Sequence, residues 1–392
     1  MERYEVIVVG LGAVGSATTR RLAASGVRVL GVDRYAPPHS HGSSHGETRI
    51  TREAVGEGAA YVPFVRRSHE VWRELEEESG TRLFHATGGL LISPASGAAA
   101  MHGADDFAAS TIAVAQRHRI DHRVLGPDEL RREFGQFRTG AEHVGYHEPG
   151  AGLVLAEEAV RVQLELAVRH GAQLRRDEVV HDVVPDGDGV RIRTDQGEYG
   201  ADVAVLAAGS WLPELLEPEL ARLFTVYRQL QTWFRLDGDA AAFDPAGCPV
   251  FIWQFGSGED DVCYGFPAVE GPSGGVKIGT ERYADATGPG TVRRTVDDAE
   301  TAEVYERCVR GRIPALGPGV VRSASCLYTV TPDFGFVVDH HPEHRNVVIA
   351  APCSGHGFKH SAAVGEATAE LATTGAATLD LTPFALSRFG FG

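Results

Sequence analysis

Cysteine is scarce in this chain, with five residues among 392: Cys248, Cys263, Cys308, Cys326 and Cys353. Their odd number, their wide spacing and the lack of any CxxC pair exclude a disulfide framework and a structural zinc site. Thiols so placed suit a reducing compartment, where most act as small core residues. Long apolar runs are missing too: nothing approaches the roughly 18 consecutive apolar residues of a membrane helix. Positive charge is in deficit, with a net charge of −16 and a pI of about 5.5, and no Lys/Arg run suggests a nucleic-acid partner. The opening MERYEVIVVG lacks the features of a secretory leader, and the closing SRFGFG is not an SKL address. The expected location is the cytoplasm. No repeat and no low-complexity tail appears. What remains is ordinary globular material, long enough for two or three lobes at about 150 residues each.

The most informative segment is the first 33 residues. Val6-Ile7-Val8-Val9 is the β-branched run of a buried parallel strand, and Gly10, Gly12 and Gly15 follow in G-L-G-A-V-G. A helical stretch from Ser16 to Ser25 leads to a second strand that ends on Asp33. Gly10 suits a tight turn, Gly12 a close approach to a pyrophosphate and Gly15 the packing of helix on strand. The helix start, at Ala13 and Val14, offers unpaired N–H groups to phosphate. Asp33 stands where an acid meets ribose hydroxyls. The pattern is that of a dinucleotide-binding βαβ unit, and it does not by itself separate NAD from FAD.

The rest of the chain favours FAD. A nicotinamide dehydrogenase continues with further βα units, whereas here an irregular stretch, Pro37 to Arg49, intervenes. A later strand ends in Gly209-Ser210-Trp211, and another, Asn346 to Ala350, runs into Cys353-Ser354-Gly355-His356-Gly357-Phe358-Lys359. Glycine junctions at both ends of the chain suggest one long ligand touched by distant segments.

Four motifs sharpen this. They are P-P-H-x-x-G-S-x-H-G-x-T-R-x-x-R at 37–52, the lysine of Gly275-Val276-Lys277-Ile278-Gly279, the cysteine of Cys326-Leu327-Tyr328-Thr329, and Ser354 to Lys359. With them the chain resembles, over nearly its whole length, the monomeric sarcosine oxidase and N-methyltryptophan oxidase family of FAD flavoproteins, within the glycine-oxidase/D-amino-acid-oxidase group. The resemblance implies that Cys326 carries the flavin through a thioether. It implies that Arg52 and Lys359 receive the substrate carboxylate, that Tyr264 and Tyr328 line the substrate cavity, and that His45 and Arg49 lie beside the flavin. Lys277 is implied in the reaction with dioxygen and Val180 in contact with adenine. Arg34, Ser43 and Thr48 complete the expected cofactor contacts. The chain departs from the pattern at Glu281, where the family has a histidine near the substrate, and at Val55, where it has a tyrosine. The Tyr264–Lys277 interval is also two residues longer. An acid at 281 would welcome a second positive or hydroxyl-rich group on the substrate, or would simply face outward.

Bland readings stand beside these. Cys326 reads equally as a buried thiol, and Arg49 and Arg52 as solvated surface residues. Lys277 must point opposite to Val276 and Ile278, which leaves solvent or cavity open. His39 and His45 lack a carboxylate or cysteine to complete a ligand set, so no metal is expected.

The expected fold is α/β (α+β overall): a Rossmann-like FAD-binding domain from 1–90, 147–225 and 323–392, and a mainly antiparallel substrate domain from 91–146 and 226–322. The expected activity is oxidation of a secondary amine or N-methyl amino acid to an imine, hydrolysed to aldehyde and amine, with dioxygen reduced to hydrogen peroxide. A glycated, cyclic imino or primary amino acid is the alternative substrate. A dehydrogenase that does not use oxygen, or a protein that holds flavin without turnover, is the alternative class. No macromolecular partner is expected, and a monomer is favoured.

Overall fold

The strand Glu2–Val9 forms because Val6 to Val9 must be buried on both faces, and it lies at the centre of a sheet. The computed structural model describes residues 1–98, 100–258 and 260–391. Among these, Glu2–Val9 pairs in parallel with Glu198–Leu206 on one side and Val29–Val32 on the other. Gln173–Arg175 extends the sheet in parallel beyond Val29–Val32, and Val347–Ala351 lies parallel to the end of Glu198–Leu206. The hairpin Val180–Asp186 and Gly189–Thr194 and the strand Val337–His340 add antiparallel members. Parallel strands share a direction, so Val9, Val32, Leu206 and Ala351 all end at the same edge. Ligands of open α/β sheets bind at that carboxyl edge.

Three helices cover one face. Ala13–Ala24 packs between Ala156–Arg169 and Ser361–Thr374. Ala156–Arg169 carries Glu157 and Glu158 in its first turn and Arg169 in its last, as the helix dipole favours. Ser361–Thr374 buries eleven of its fourteen residues, mostly Ala and other small side chains, and stops at Gly375 in the left-handed conformation. Glu366 ties this helix to Arg20 at 3.5 Å and to Arg67 at 2.7 Å, joining three helices through one carboxylate.

The second sheet is mainly antiparallel, as expected. Thr225–Leu236, Val276–Thr280, Val262–Gly265 and Val250–Gln254 follow one another across it. Val250–Gln254 then pairs with Gly89–Pro94 in parallel, the exception in the sheet. Leu316–Val330 runs along Thr225–Leu236 over its whole length. Residues 323–330, placed with the FAD segments by their motif, therefore belong to the second sheet. Strand continuity outweighs motif membership there.

The register of this sheet positions the site. Residues directly opposite one another share a face, as do residues two apart in a strand. Tyr264 opposes Gly279, Gln231 opposes Gly279, Trp233 opposes Lys277, Gln229 opposes Cys326 and Tyr227 opposes Tyr328. Tyr264, Lys277, Cys326 and Tyr328 thus stand on one face. The other face carries Leu230, Phe234, Val276, Ile278, Phe251 and Trp253, a buried apolar core. Burying that core, at roughly 1.5–3 kcal/mol per large apolar side chain, fixes which face meets the first sheet.

Candidate active site

At the carboxyl edge of the first sheet the chain turns at Gly10, whose φ of 90° is left-handed territory and whose Cβ, if present, would lie 2.6 Å from the Ala207 carbonyl oxygen. A Cβ on Gly15 would lie 1.7 Å from the Gly10 carbonyl oxygen, so only glycine lets the helix start this close to the turn. Gly12 caps the helix with no side-chain bond to its first N–H groups, although the Ala13 N–H donates to Ser44 Oγ at 3.1 Å. Asp33 accepts from the Leu11 N–H at 2.7 Å and the Tyr35 N–H at 2.9 Å, fastening the turn to the second strand. Gly10, Gly12, Ala13, Val14, Asp33 and Arg34 all line one cleft. Ser43, Val180, Gly209 and Trp211 continue its wall, and Gly355, Gly357 and Phe358 close it from the C-terminal segment. Distant parts of the chain do converge on a single long groove. A glycine turn, an uncapped helix start and an acid at the second strand fit the diphosphate and ribose of FAD.

Midway along the cleft the 37–52 motif is locked by backbone acceptors. Arg49 donates to the carbonyl oxygens of Thr48 at 2.8 Å and of Ser43 and His45 at 2.6 Å, and lies 5.9 Å from the Phe358 ring. Lys277, 1% exposed, donates to the carbonyl oxygens of Gly46 and Thr48, both at 2.7 Å, with its ammonium 3.9 Å from the Phe266 ring. Burial, then the nearby Arg49, push Lys277 well below the ordinary lysine range. Cys326 is buried, with its Sγ 3.5 Å from Gln231 Nε2, and burial pushes its thiol up. Burial takes His45 down to about 4, so its imidazole is neutral. Gly15, His45, Thr48, Lys277 and Cys326 are buried beside the cleft. The Thr48 carbonyl oxygen accepts from both Arg49 and Lys277. The outward option for Lys277 is excluded by its burial.

At the far end Arg52 and Lys359 come together as expected, both buried, but around a residue the sequence analysis did not single out. Glu57 lies 3.5 Å from Arg52 and 3.8 Å from Lys359. Burial raises the Glu57 carboxyl, but Lys359, Arg52 and a hydrogen bond from His102 outweigh it and hold Glu57 well below the usual range. Burial lowers Lys359 to about 8, with Glu57 opposing the fall. Tyr264 and Tyr328 line the cavity with their hydroxyls 3.5 Å apart, and burial pushes both up, keeping them protonated.

Glu281 is buried and faces the cleft rather than outward. Its Oε2 lies 2.8 Å from His102 Nε2, and His102 Nδ1 lies 3.0 Å from Glu57. Tyr283 places its hydroxyl 3.3 Å from both His102 and Glu281. Of the two readings of Glu281 the outward one is excluded, and the inward acid is paired with His102 within the protein. Glu57, His102 and Tyr283 were missed because none falls in a motif. Glu57 alone had a signal, lying five residues beyond Arg52.

A dinucleotide cradle at the carboxyl edge of a parallel sheet, continuous with a recess holding two buried cations, defines an FAD-dependent oxidoreductase. The chain belongs to the FAD dependent oxidoreductase family, which it matches over residues 5–371. It is 38% identical to a monomeric sarcosine oxidase of Streptomyces avermitilis, covering 95% of this chain and 94% of that one. It is 33% identical to an N-methyl-L-tryptophan oxidase of Salmonella enteritidis, over 99% of both chains. In structure it is similar to NikD, an amino acid oxidase of nikkomycin biosynthesis, with a TM-score of 0.84 and 25% identity over 98% of both chains.

Proposed function

We propose that this enzyme oxidises a secondary amino acid, an N-methyl amino acid above all, at the carbon beside the nitrogen. The C–H and N–H hydrogens leave with two electrons, water hydrolyses the resulting imine to aldehyde and amine, and dioxygen takes the electrons to become hydrogen peroxide. Bound FAD supplies the two-electron acceptor. The observation that carries the reading is the convergence of Arg52 and Lys359, both nearly fully buried, at the end of the cleft. Glu57 supplies one anion for these two buried cations, and a substrate carboxylate would supply the second.

Each residue then has a defined task. Arg52 and Lys359 hold the carboxylate and so fix which C–H is presented. Tyr264 and Tyr328, both neutral, form an edge of the cavity. Gly10, Gly12, Ala13 and Asp33 hold the cofactor's diphosphate and ribose. Arg49 and Lys277 hold the 43–48 backbone, both through the Thr48 carbonyl. Cys326 tethers the flavin, and its neighbours Arg49 and Lys277 favour the thiolate that a thioether requires.

The same reading divides the chain into a cofactor part (1–90, 147–225 and 323–392, apart from the end of the strand Leu316–Val330, which lies in the roofing sheet) and a roofing part (91–146, 226–322), working as a monomer in the cytoplasm. Five cysteines without a disulfide are consistent with that compartment.

The test is Arg52→Ala, assayed by anaerobic flavin reduction with N-methyl amino acids and with the same amines lacking the carboxylate. The expected outcome is a weakening on the order of a hundredfold for the amino acids, with the simple amines little changed. Equal losses for both classes would refute the assignment.

A further inference from the structure

The corner beyond Arg52 and Lys359 holds groups that the proposed reaction leaves without a task. His102 arrives on the segment after Gly89–Pro94 and is buried between two buried carboxylates, 3.0 Å from Glu57 and 2.8 Å from Glu281. A neutral imidazole has one N–H and cannot donate to both, whereas an imidazolium can. Burial alone would lower His102, yet Glu281 and Glu57 raise it to about 9. The cluster sits directly on the substrate side of the C-terminal segment. A Cβ on Gly355 would lie 2.9 Å from the Tyr283 hydroxyl and 3.0 Å from His102 Nε2.

Charge then decides which guest the corner takes. Its cations are Arg52, Lys359 and His102, and its anions are Glu57 and Glu281. Tyr264, Tyr283 and Tyr328 stay neutral because burial raises them, and His356 and His360 stay neutral because burial lowers them. Arg49 and Lys277, nearer the middle of the cleft, spend their N–H groups on backbone carbonyls. One positive charge is left over. An amino acid whose amine is uncharged, as oxidation requires, carries one negative charge and balances it. A second ammonium or guanidinium on the guest would meet His102 and restore the imbalance, at a cost of several kcal/mol for like charges brought together in such a site.

We propose that His102 is a specificity-determining residue: by bridging Glu57 and Glu281 it cancels the acidity of that corner, so the enzyme selects amino acids with one carboxylate and an uncharged side chain and rejects those with a cationic one. The inference rests on the amino-acid reading above and names the substrate class within it.

Two unreactive probes test it, 2-aminoisobutyrate and α-methylornithine, which lack a C–H on the α-carbon and differ by one cationic side chain. Their dissociation constants are measured on the flavin-loaded enzyme by calorimetry. Wild type is expected to bind the neutral probe at least about tenfold more tightly, and His102→Gln to remove or invert that preference. His102→Gln/Glu281→Gln, which removes one charge of each sign, should restore it. In wild type the preference should also fall as pH is raised past about 9, where His102 loses its proton. Lys359→Arg, fixed in charge, should show the same fall, which separates His102 from Lys359. Should His102→Gln not fold, the double variant and the wild-type pH series carry the test. Equal binding of the two probes by wild type, or a preference that neither pH nor His102→Gln moves, overturns the proposal. Failure of both probes to bind, while amines without a carboxylate do, overturns the amino-acid reading instead.

Discussion

The ammonium of Lys277 donates to the carbonyl oxygen of Thr48 at 2.7 Å, and the guanidinium of Arg49 donates to the same oxygen at 2.8 Å. One backbone oxygen thus gathers two cations beneath the middle of the cleft. Burial pushes Lys277 down, so its charge is held at a cost and is lost at a lower pH than in an ordinary lysine. A fixed charge there favours formation of an anion nearby, as happens when an electron passes to dioxygen. Lys277→Met is expected to slow reoxidation of the reduced flavin by about 10²–10³-fold, with flavin reduction by the amine far less affected. Separate anaerobic-reduction and aerobic-reoxidation traces decide it. A selective loss of reduction would reverse the role.

For Cys326, the intact mass of the denatured enzyme should exceed that of the polypeptide by one FAD. The mass of Cys326→Ser should not. Because burial raises the Cys326 thiol and a thiolate is needed to form the bond, attachment to apoprotein should accelerate as pH rises. A bare polypeptide mass for wild type removes the tether.

Glu57 pairs with both cations assigned to the substrate carboxylate, at 3.5 and 3.8 Å, and so competes with it. Glu57→Gln removes the competitor while keeping its shape. Acetate, titrated against the flavin spectrum, should bind the variant roughly tenfold more tightly than wild type. Weaker binding would show that Glu57 orients the cations rather than competing for them.

His102 also sets a pH dependence of stability. Its folded value, about 9, lies above its ordinary 6.5, so its contribution is full below about 6.5 and is lost as pH rises through 9. Lys359, lowered from 10.5 to about 8, acts in the opposite sense and only above about 8. Denaturant midpoints should therefore fall between about pH 6.5 and 8 in wild type and stay flatter in His102→Gln/Glu281→Gln. Parallel curves for the two proteins would show that His102 is not protonated between its two acids.

The cofactor end of the site was legible because its chemistry is local. Gly10, Gly12 and Gly15 answer to a turn and a helix start, and Asp33 to the end of the next strand, all within one βαβ unit. The strands of the roof were legible for a similar reason, since alternation survives in Thr225–Leu236 and Val276–Thr280. The boundary at 323 was not, because Leu316–Val330 is one strand that carries a motif in its second half.

By itself the sequence determined a dinucleotide fold and the motifs that resemble an amine-oxidising flavoprotein family, and only that resemblance implied Arg52 and Lys359 as a pair. Only the tertiary structure decided where Lys277 points, because alternation names two faces and the burial of Val276 and Ile278 in the apolar core chooses between them. It alone decided the sign of the substrate corner as well. Glu281 by its residue type is an acid that attracts cations, but His102, 179 residues earlier in the chain, reaches it at 2.8 Å. Electrostatics depends on distance in space, and no local pattern records which charge folds back upon which.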